Sequence, residues 1–213
     1  MSRGYYEQFR NTLEGQKLLQ TIRFAEGTAG ADGYNTMFTG AKFNDLSKHP
    51  RLINSSNGLS SDAAGAYQFL STTYEPLAAS LGLNDFSPIN QDIAALALAD
   101  QRLQGLGGLG VITSDGMSER VADALAPEWA SFPTAATGTS YYGQGGKSLG
   151  ELQAVYGGQY QNMGSAAPVI ATMPGNSEQR MAGEEIIKQA EPEKHSSIFG
   201  PVFAKLRSLG MGF

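Results

Sequence analysis

The chain has no cysteine and only two histidines, His49 and His195, among its 213 residues. Disulfides, thiolate metal sites and thiol nucleophiles are excluded together, and no cluster of soft donors can be assembled around a zinc ion. Neither a metal nor a cofactor is expected. Fifteen basic residues stand against 20 acidic ones, a formal charge of −5, and no Lys/Arg run occurs. The electrostatic footprint of a nucleic-acid binder is therefore missing. No stretch approaches the apolar length that spans a bilayer. The opening MSRGYYEQFRNTLEGQKLLQ has neither the apolar core nor the small-residue cleavage site of a secretory signal.

What is present is enough chain for one large domain, or for an ordinary domain with an appendage. Segment 13–26, LEGQKLLQTIRFAE, carries Leu18, Leu19, Ile22 and Ala25 at helical spacing and runs into Gly27, so a helix is expected to close at Glu26. From Thr28 to Ser61 the pattern breaks into Gly, Asn, Thr and Ser, which suits a cleft wall with a small β-hairpin between residues 34 and 56. SDAAGAYQFLSTTYEPLAASLGL reads as a turn followed by a helix, with Pro76 in its first turn or distorting it. Ser87 and Pro88 form a cap and a first helical position, and Ile93, Leu96, Ala99 and Leu103 then repeat on one face. Ser118 can cap a helix with Val121, Ala122 and Leu125 as its stripe, ended or kinked by Pro127. Trp129 is expected in the core. LGELQAVYGGQY closes the unit as a short helix.

A boundary near Gly164 divides the chain into domain 1–164 and extension 165–213. Residues 165–176 have linker composition, and 178–193 form a charged, amphipathic helix candidate. In the last residues Ile198, Val202, Phe203, Leu206 and Leu209 approximate an apolar face interrupted by Gly200 and Pro201. That face could dock on a virion protein, lie on a membrane surface, or belong to a flexible tail that orders against domain 1–164 or against nothing.

Glu26 is the first candidate for chemistry. Residues 19, 22 and 26 share a helical face, so its carboxyl falls beside Leu19 and Ile22, partly desolvated and in the last turn, where the helix dipole disfavours negative charge. Both effects raise a carboxyl pKa toward the range a neutral-pH proton donor requires. A solvated Glu paired with Arg23 in a frayed turn is the alternative on these residues alone.

FAEGT, FTGAKFNDLSKHPR, SSDAAGAYQFLSTTY, LGLNDFSPINQDIAAL and EWASFP with YYGQ occur here in the order and at the separations that resemble the lambda-type phage endolysins, over roughly residues 16–155. The resemblance implies a mainly α, α+β lysozyme-like fold in which Glu26 lies at the base of a cleft and acts on peptidoglycan strands. AGAYQ resembles the Gly-x-x-Gln turn of lytic transglycosylases, with Gly65 allowing close backbone approach, Tyr67 offering ring and hydroxyl, and Gln68 offering an amide to a sugar. Tyr67 reads equally as a core aromatic, and Gln68 as a helix-start hydrogen bond. YYGQ resembles the family's segment over the cleft, which makes Tyr142 and Gln144 sugar contacts or plain connection. His49 is a weaker binding candidate, since a loop histidine is more often merely satisfied.

The resemblance further implies cleavage of the MurNAc–GlcNAc β-1,4 bond. Hydrolytic glycosidases use two carboxylates, and the acids available in the cleft-forming stretch are Asp32, Asp45 and Asp62, each in a turn-like context. A lytic transglycosylase manages with Glu26 alone, as general acid and then base, giving a 1,6-anhydro-MurNAc end. A muramidase using Asp62 or Asp45, and a non-catalytic virion or wall-binding protein with the same fold, are the alternatives. The expected partners are peptidoglycan glycan strands and, through 178–213, phage tail or baseplate proteins. The enzyme would be carried in the virion, or made in the host cytoplasm and released through a holin, and would act at the cell wall.

Overall fold

The computed structural model describes residues 1–56, 58–138, 140 and 146–158. Tyr142, Gln144, the boundary near Gly164 and everything assigned to 165–213 lie outside the described residues. Among those described, seven helices and one two-stranded sheet follow in the order α1 (Arg3–Arg10), α2 (Leu13–Ala25), β1 (Asn54–Ser56), β2 (Leu59–Ser61), α3 (Ser71–Leu81), α4 (Pro88–Leu103), α5 (Gly110–Asp115), α6 (Glu119–Leu125) and α7 (Leu149–Tyr156). The class is α+β and mainly α, as expected.

Helix α4 is the axis of the domain. Its residues from Asn90 to Asp100 are all buried, and α1, α2, α3 and α6 pack around it. A helix covered on every side belongs to a core rather than to a surface. The expected face of Ile93, Leu96, Ala99 and Leu103 is fully buried, and Ala94, Ala95 and Leu98, off that face, are buried too. Pro88 takes the first helical position after Ser87, but the Ser87 side chain makes no cap bond. Asp85 fixes the approach to the helix instead, accepting from the Ser87 N–H at 2.9 Å and from the Asn90 side-chain amide at 2.6 Å. Ser118 likewise precedes α6 without capping it through its hydroxyl.

Helix α2 begins at Thr12, whose hydroxyl accepts from the Gly15 N–H at 3.0 Å, and ends at Ala25 with Glu26 as its C-cap. It buries Leu18, Leu19, Ile22 and Ala25 and packs along α7, which opens with a reciprocal Ser148–Glu151 capping box. Helix α1, not anticipated from the sequence, inserts Tyr6 and Phe9 into the core. Its Tyr6 hydroxyl donates to Asp100 at 3.1 Å.

Asp92 on α4 is a buried junction. One oxygen accepts from the Tyr34 and Tyr67 hydroxyls at 2.8 and 2.6 Å, and the other accepts from Arg10 Nε at 2.6 Å. A buried carboxylate requires such a full complement of donors. Helix α1, the 33–36 turn and the 65–68 turn are thereby tied to a single side chain.

Two sequence expectations are corrected. The hairpin lies at 54–61, with Asn54 opposite Ser61 and Ser56 opposite Leu59, so that only its first strand falls within the 34–56 window. Residues 33–40 instead form two short 3-10 turns at Gly33–Asn35 and Phe38–Gly40, held by single bridges from Thr36 to Lys42 and from Met37 to Ala64. Pro76 sits in the second turn of α3 rather than the first, where the helix loses one backbone bond.

Candidate active site

Four chain segments meet around a cavity of about 360 Å³: the end of α2 from Ala25 to Thr28, the turn from Thr36 to Gly40, and two further segments that contribute Gln68 and Ser131. The α2 terminus reaches it because Leu19 and Ile22, buried on the same face, point the last turn inward. Thr28 fastens the next residues, its hydroxyl within bonding distance of the Ala66 carbonyl. Arg23 lies over the Tyr34 ring, 4.7 Å from its centre, and its Nη2 faces the carbonyls of Thr28, Ala29 and Gly30 at 3.0–3.4 Å. Arg23 thus shapes the loop after Glu26. It does not pair with Glu26 in the way the frayed-turn reading supposed.

The Glu26 carboxyl accepts a 2.5 Å hydrogen bond from the Ser131 hydroxyl. Burial pushes its pKa up from 4.5 to about 7, Ser131 draws it partly back by favouring the ionised form, and the nearby Glu128 carboxylate raises it again. A carboxyl poised there can give up a proton and take it back at neutral pH. Neither Ser131 nor Glu128 was singled out in the sequence, although both stand in EWASFP around Trp129. Trp129 itself is a core residue, 2% exposed, donating from its indole N–H to the Tyr67 carbonyl.

Of the other sequence candidates, Gln68 lines the cavity. It has left-handed backbone (φ 49°), and its amide N–H groups donate to the carbonyls of Gly65 and Thr36 at 2.9 and 3.1 Å. Its donors therefore hold the turn and the opposite wall together, and any sugar bond falls to its oxygen. Gly65, Tyr67, His49 and Asp62 do not line the cavity, and each has a structural reason for its place.

Gly65 (φ 81°) leaves room for a side chain rather than for a ligand. A Cβ there would stand 2.3 Å from Gln91 Oε1 and 2.9 Å from Phe86. Gln91 uses that space to accept from the Ala66 N–H and to donate to the carbonyls of Tyr34 and Phe86. Tyr67 is 1% exposed and spends its hydroxyl on Asp92, which is the place the core reading gave it.

His49 is buried rather than at the surface. Its Nδ1 accepts from the Arg51 N–H, which leaves Nε2–H to donate to the Phe69 carbonyl at 2.8 Å. Burial lowers its pKa, and the ring packs against Tyr74 and Phe86. Asp62 accepts from the Ser71 hydroxyl and N–H at the start of α3. Asp45 accepts from the Ser47 N–H in an exposed turn, and Asp32 is exposed. Glu26 is thus the sole carboxylate among the described residues lining the cavity. No group of three or more potential metal ligands occurs among the described residues, nor any helix long and apolar enough to cross a membrane.

The Endolysin family model matches residues 16–165. The endolysin of Escherichia phage lambda is 35% identical over 127 residues, covering 56% of this chain and 77% of that protein. The endolysin of Escherichia phage P2 is 32% identical over 154 residues, covering 65% and 87%. Among solved structures, bacteriophage lambda lysozyme complexed with a chitohexasaccharide is similar with a TM-score of 0.59 and 31% identity, over 68% of this chain and 93% of the other. A second structure of the lysozyme from bacteriophage lambda matches equally, at 30% identity.

Proposed function

Since the chain belongs to the endolysin family, phage enzymes that degrade peptidoglycan, we propose that it cleaves the MurNAc–GlcNAc β-1,4 bond as a lytic transglycosylase with Glu26 as its acid. The observation that carries the reading is a cavity whose described lining includes one carboxyl, poised near pH 7, and no second acid. Ordinary hydrolysis calls for a partner carboxylate across the scissile bond. The two acids considered for that role, Asp45 and Asp62, are occupied elsewhere. That one similar structure is a complex with a chitohexasaccharide supports a glycan strand as the occupant.

In this reading the protonated Glu26 gives its proton to the glycosidic oxygen as the bond to the MurNAc anomeric carbon breaks. The leaving GlcNAc departs with a free 4-hydroxyl. The MurNAc C6 hydroxyl closes on the anomeric carbon, and the Glu26 carboxylate takes its proton, which restores the acid. The Ser131 hydroxyl stabilises the carboxylate between the two transfers. Gln68 and the backbone of Thr36–Gly40 form the wall against which the strand lies.

Peptidoglycan digested by the protein is expected to release muropeptides one water lighter than hydrolytic products, read by mass spectrometry. Reducing ends carrying the water would overturn transglycosylation in favour of a muramidase. We extend the proposal to carriage in the virion through residues 178–213, on their apolar pattern. A chain ended at Gly164 is then expected to keep full glycan cleavage and to be missing from assembled particles. Loss of cleavage on truncation would overturn that assignment.

A further inference from the structure

The segment from Glu128 to Phe132 brings Ser131 to the acid, and what fixes it is unusual for a loop. Trp129 donates to the Tyr67 carbonyl, and the Lys147 N–H donates to the Ser131 carbonyl at 2.9 Å. Glu128 accepts both the Nε (3.1 Å) and the Nη2 (2.7 Å) of Arg102, which stands on α4, the most buried helix. The pair is itself largely enclosed, with side-chain exposures of 24% for Arg102 and 13% for Glu128. An enclosed ion pair is a poor source of stability, because desolvation offsets most of the attraction. Its presence one turn ahead of Ser131 therefore asks for another account.

We infer that the Arg102–Glu128 pair is a positioning device for the acid, holding the Ser131 segment against Glu26 and keeping a fixed negative charge behind it, so that Glu26 stays protonated at the pH where it must act. This rests on the reading of Glu26 as the acid.

Arg102 determines which state Glu128 occupies. Burial raises the Glu128 pKa above the ordinary carboxylate value, and the Arg102 guanidinium draws it partly back by favouring the ionised form. The remaining charges on elements around the cavity are engaged otherwise. Arg23 of α2 serves the 28–30 carbonyls and the Tyr34 ring. The Lys147 ammonium lies over the Phe24 ring, 4.7 Å from its centre, and Asp32 is exposed. Glu128 is the charge that bears on Glu26. Neither Arg102 nor Glu128 touches the cavity, so the effect works through Glu26 and not through substrate.

The test is the alkaline limb of the pH profile of glycan cleavage, where activity falls as Glu26 ionises. Its midpoint is expected near pH 7 in the natural protein. In Glu128→Gln it is expected about half a pH unit lower, while Glu128→Asp, which keeps the charge, retains the natural midpoint even where its rate is lower. Should Glu128→Gln not fold, the double variant Arg102→Met with Glu128→Leu replaces both members of the pair in a form that buried sites tolerate, and because Glu128 is the member that acts on Glu26, its midpoint is also expected to fall. Equal midpoints in the natural protein and in the folded charge-removing variant would overturn the inference alone, because Glu26→Gln would still be inactive. An alkaline limb moved equally by Glu128→Asp and Glu128→Gln would assign the effect to shape and overturn the charge. A natural protein with no alkaline limb that depends on Glu26 would overturn the reading of the acid itself.

Discussion

Glu26→Gln is expected to lower glycan cleavage on the order of 10³-fold, the scale of a lost general acid, while the protein becomes more stable at alkaline pH. The substitution keeps shape and hydrogen-bonding capacity, so the Ser131 contact has a partner still. The stability gain follows from proton linkage. The folded carboxyl titrates near 7 and an unfolded one near 4.5. Below pH 4.5 both states hold the proton, and the substitution changes little electrostatically. Between the two values the unfolded chain ionises and the folded one resists, so the natural protein loses stability as pH rises. Above pH 7 the loss is complete, amounting to as much as about 3 kcal/mol. Urea unfolding of both proteins at pH 4 and pH 8 is the measurement. A variant less stable than the natural protein at pH 8 would contradict the burial argument, and one with undiminished cleavage would remove Glu26 from the chemistry.

Asp92→Ala is expected to have the largest effect on stability of any single change near the site, about 3–5 kcal/mol, because it leaves Arg10 and two tyrosine hydroxyls without their shared acceptor. For a domain of this size that lowers the unfolding midpoint by roughly 10 °C. Glycan cleavage is expected to suffer as well. Tyr67 precedes Gln68, and Tyr34 leads into Thr36, so the junction braces two sides of the cavity from behind. Thermal unfolding followed by circular dichroism checks the first part. A change under about 1 kcal/mol would mean that water satisfies these groups as well as Asp92 does.

The solvated alternative for Glu26 was set aside only by the resemblance of the motifs around it, but the residue could be marked as a candidate because its setting is local, Leu19 and Ile22 determining which way the last turn of α2 faces. The α4 core face was legible for the same reason. The AGAYQ turn was legible as a motif but not residue by residue. Gln68 lines the cavity while Tyr67, one position earlier, points into the core toward Asp92. In a turn with left-handed backbone at Gly65 and Gln68 no fixed period tells which side chain faces inward. His49 was read as more often merely satisfied, and the ring does find both a backbone donor and a backbone acceptor, but SKHPR gave no sign that it would find them in the interior. The hairpin did have a local signal, the Asn57–Gly58 dipeptide that favours tight two-residue turns. Helix α1 had one too, in the three-residue spacing of Tyr6 and Phe9. Ser131 had none, because a contact spanning 105 residues leaves no trace in periodicity.

That separation has a consequence for the life of the chain. The carboxyl of residue 26 and the hydroxyl that holds it are made far apart in synthesis, and closing so long a loop is among the later and slower events of folding. Until residues 128–131 have emerged and docked, Glu26 lacks the Ser131 contact and part of the burial that raises its pKa. In the proposed reading the proton donor exists only once this long-range contact has closed, so a partly made or partly unfolded chain is expected to be harmless to glycan, and chemical competence arrives together with the finished fold.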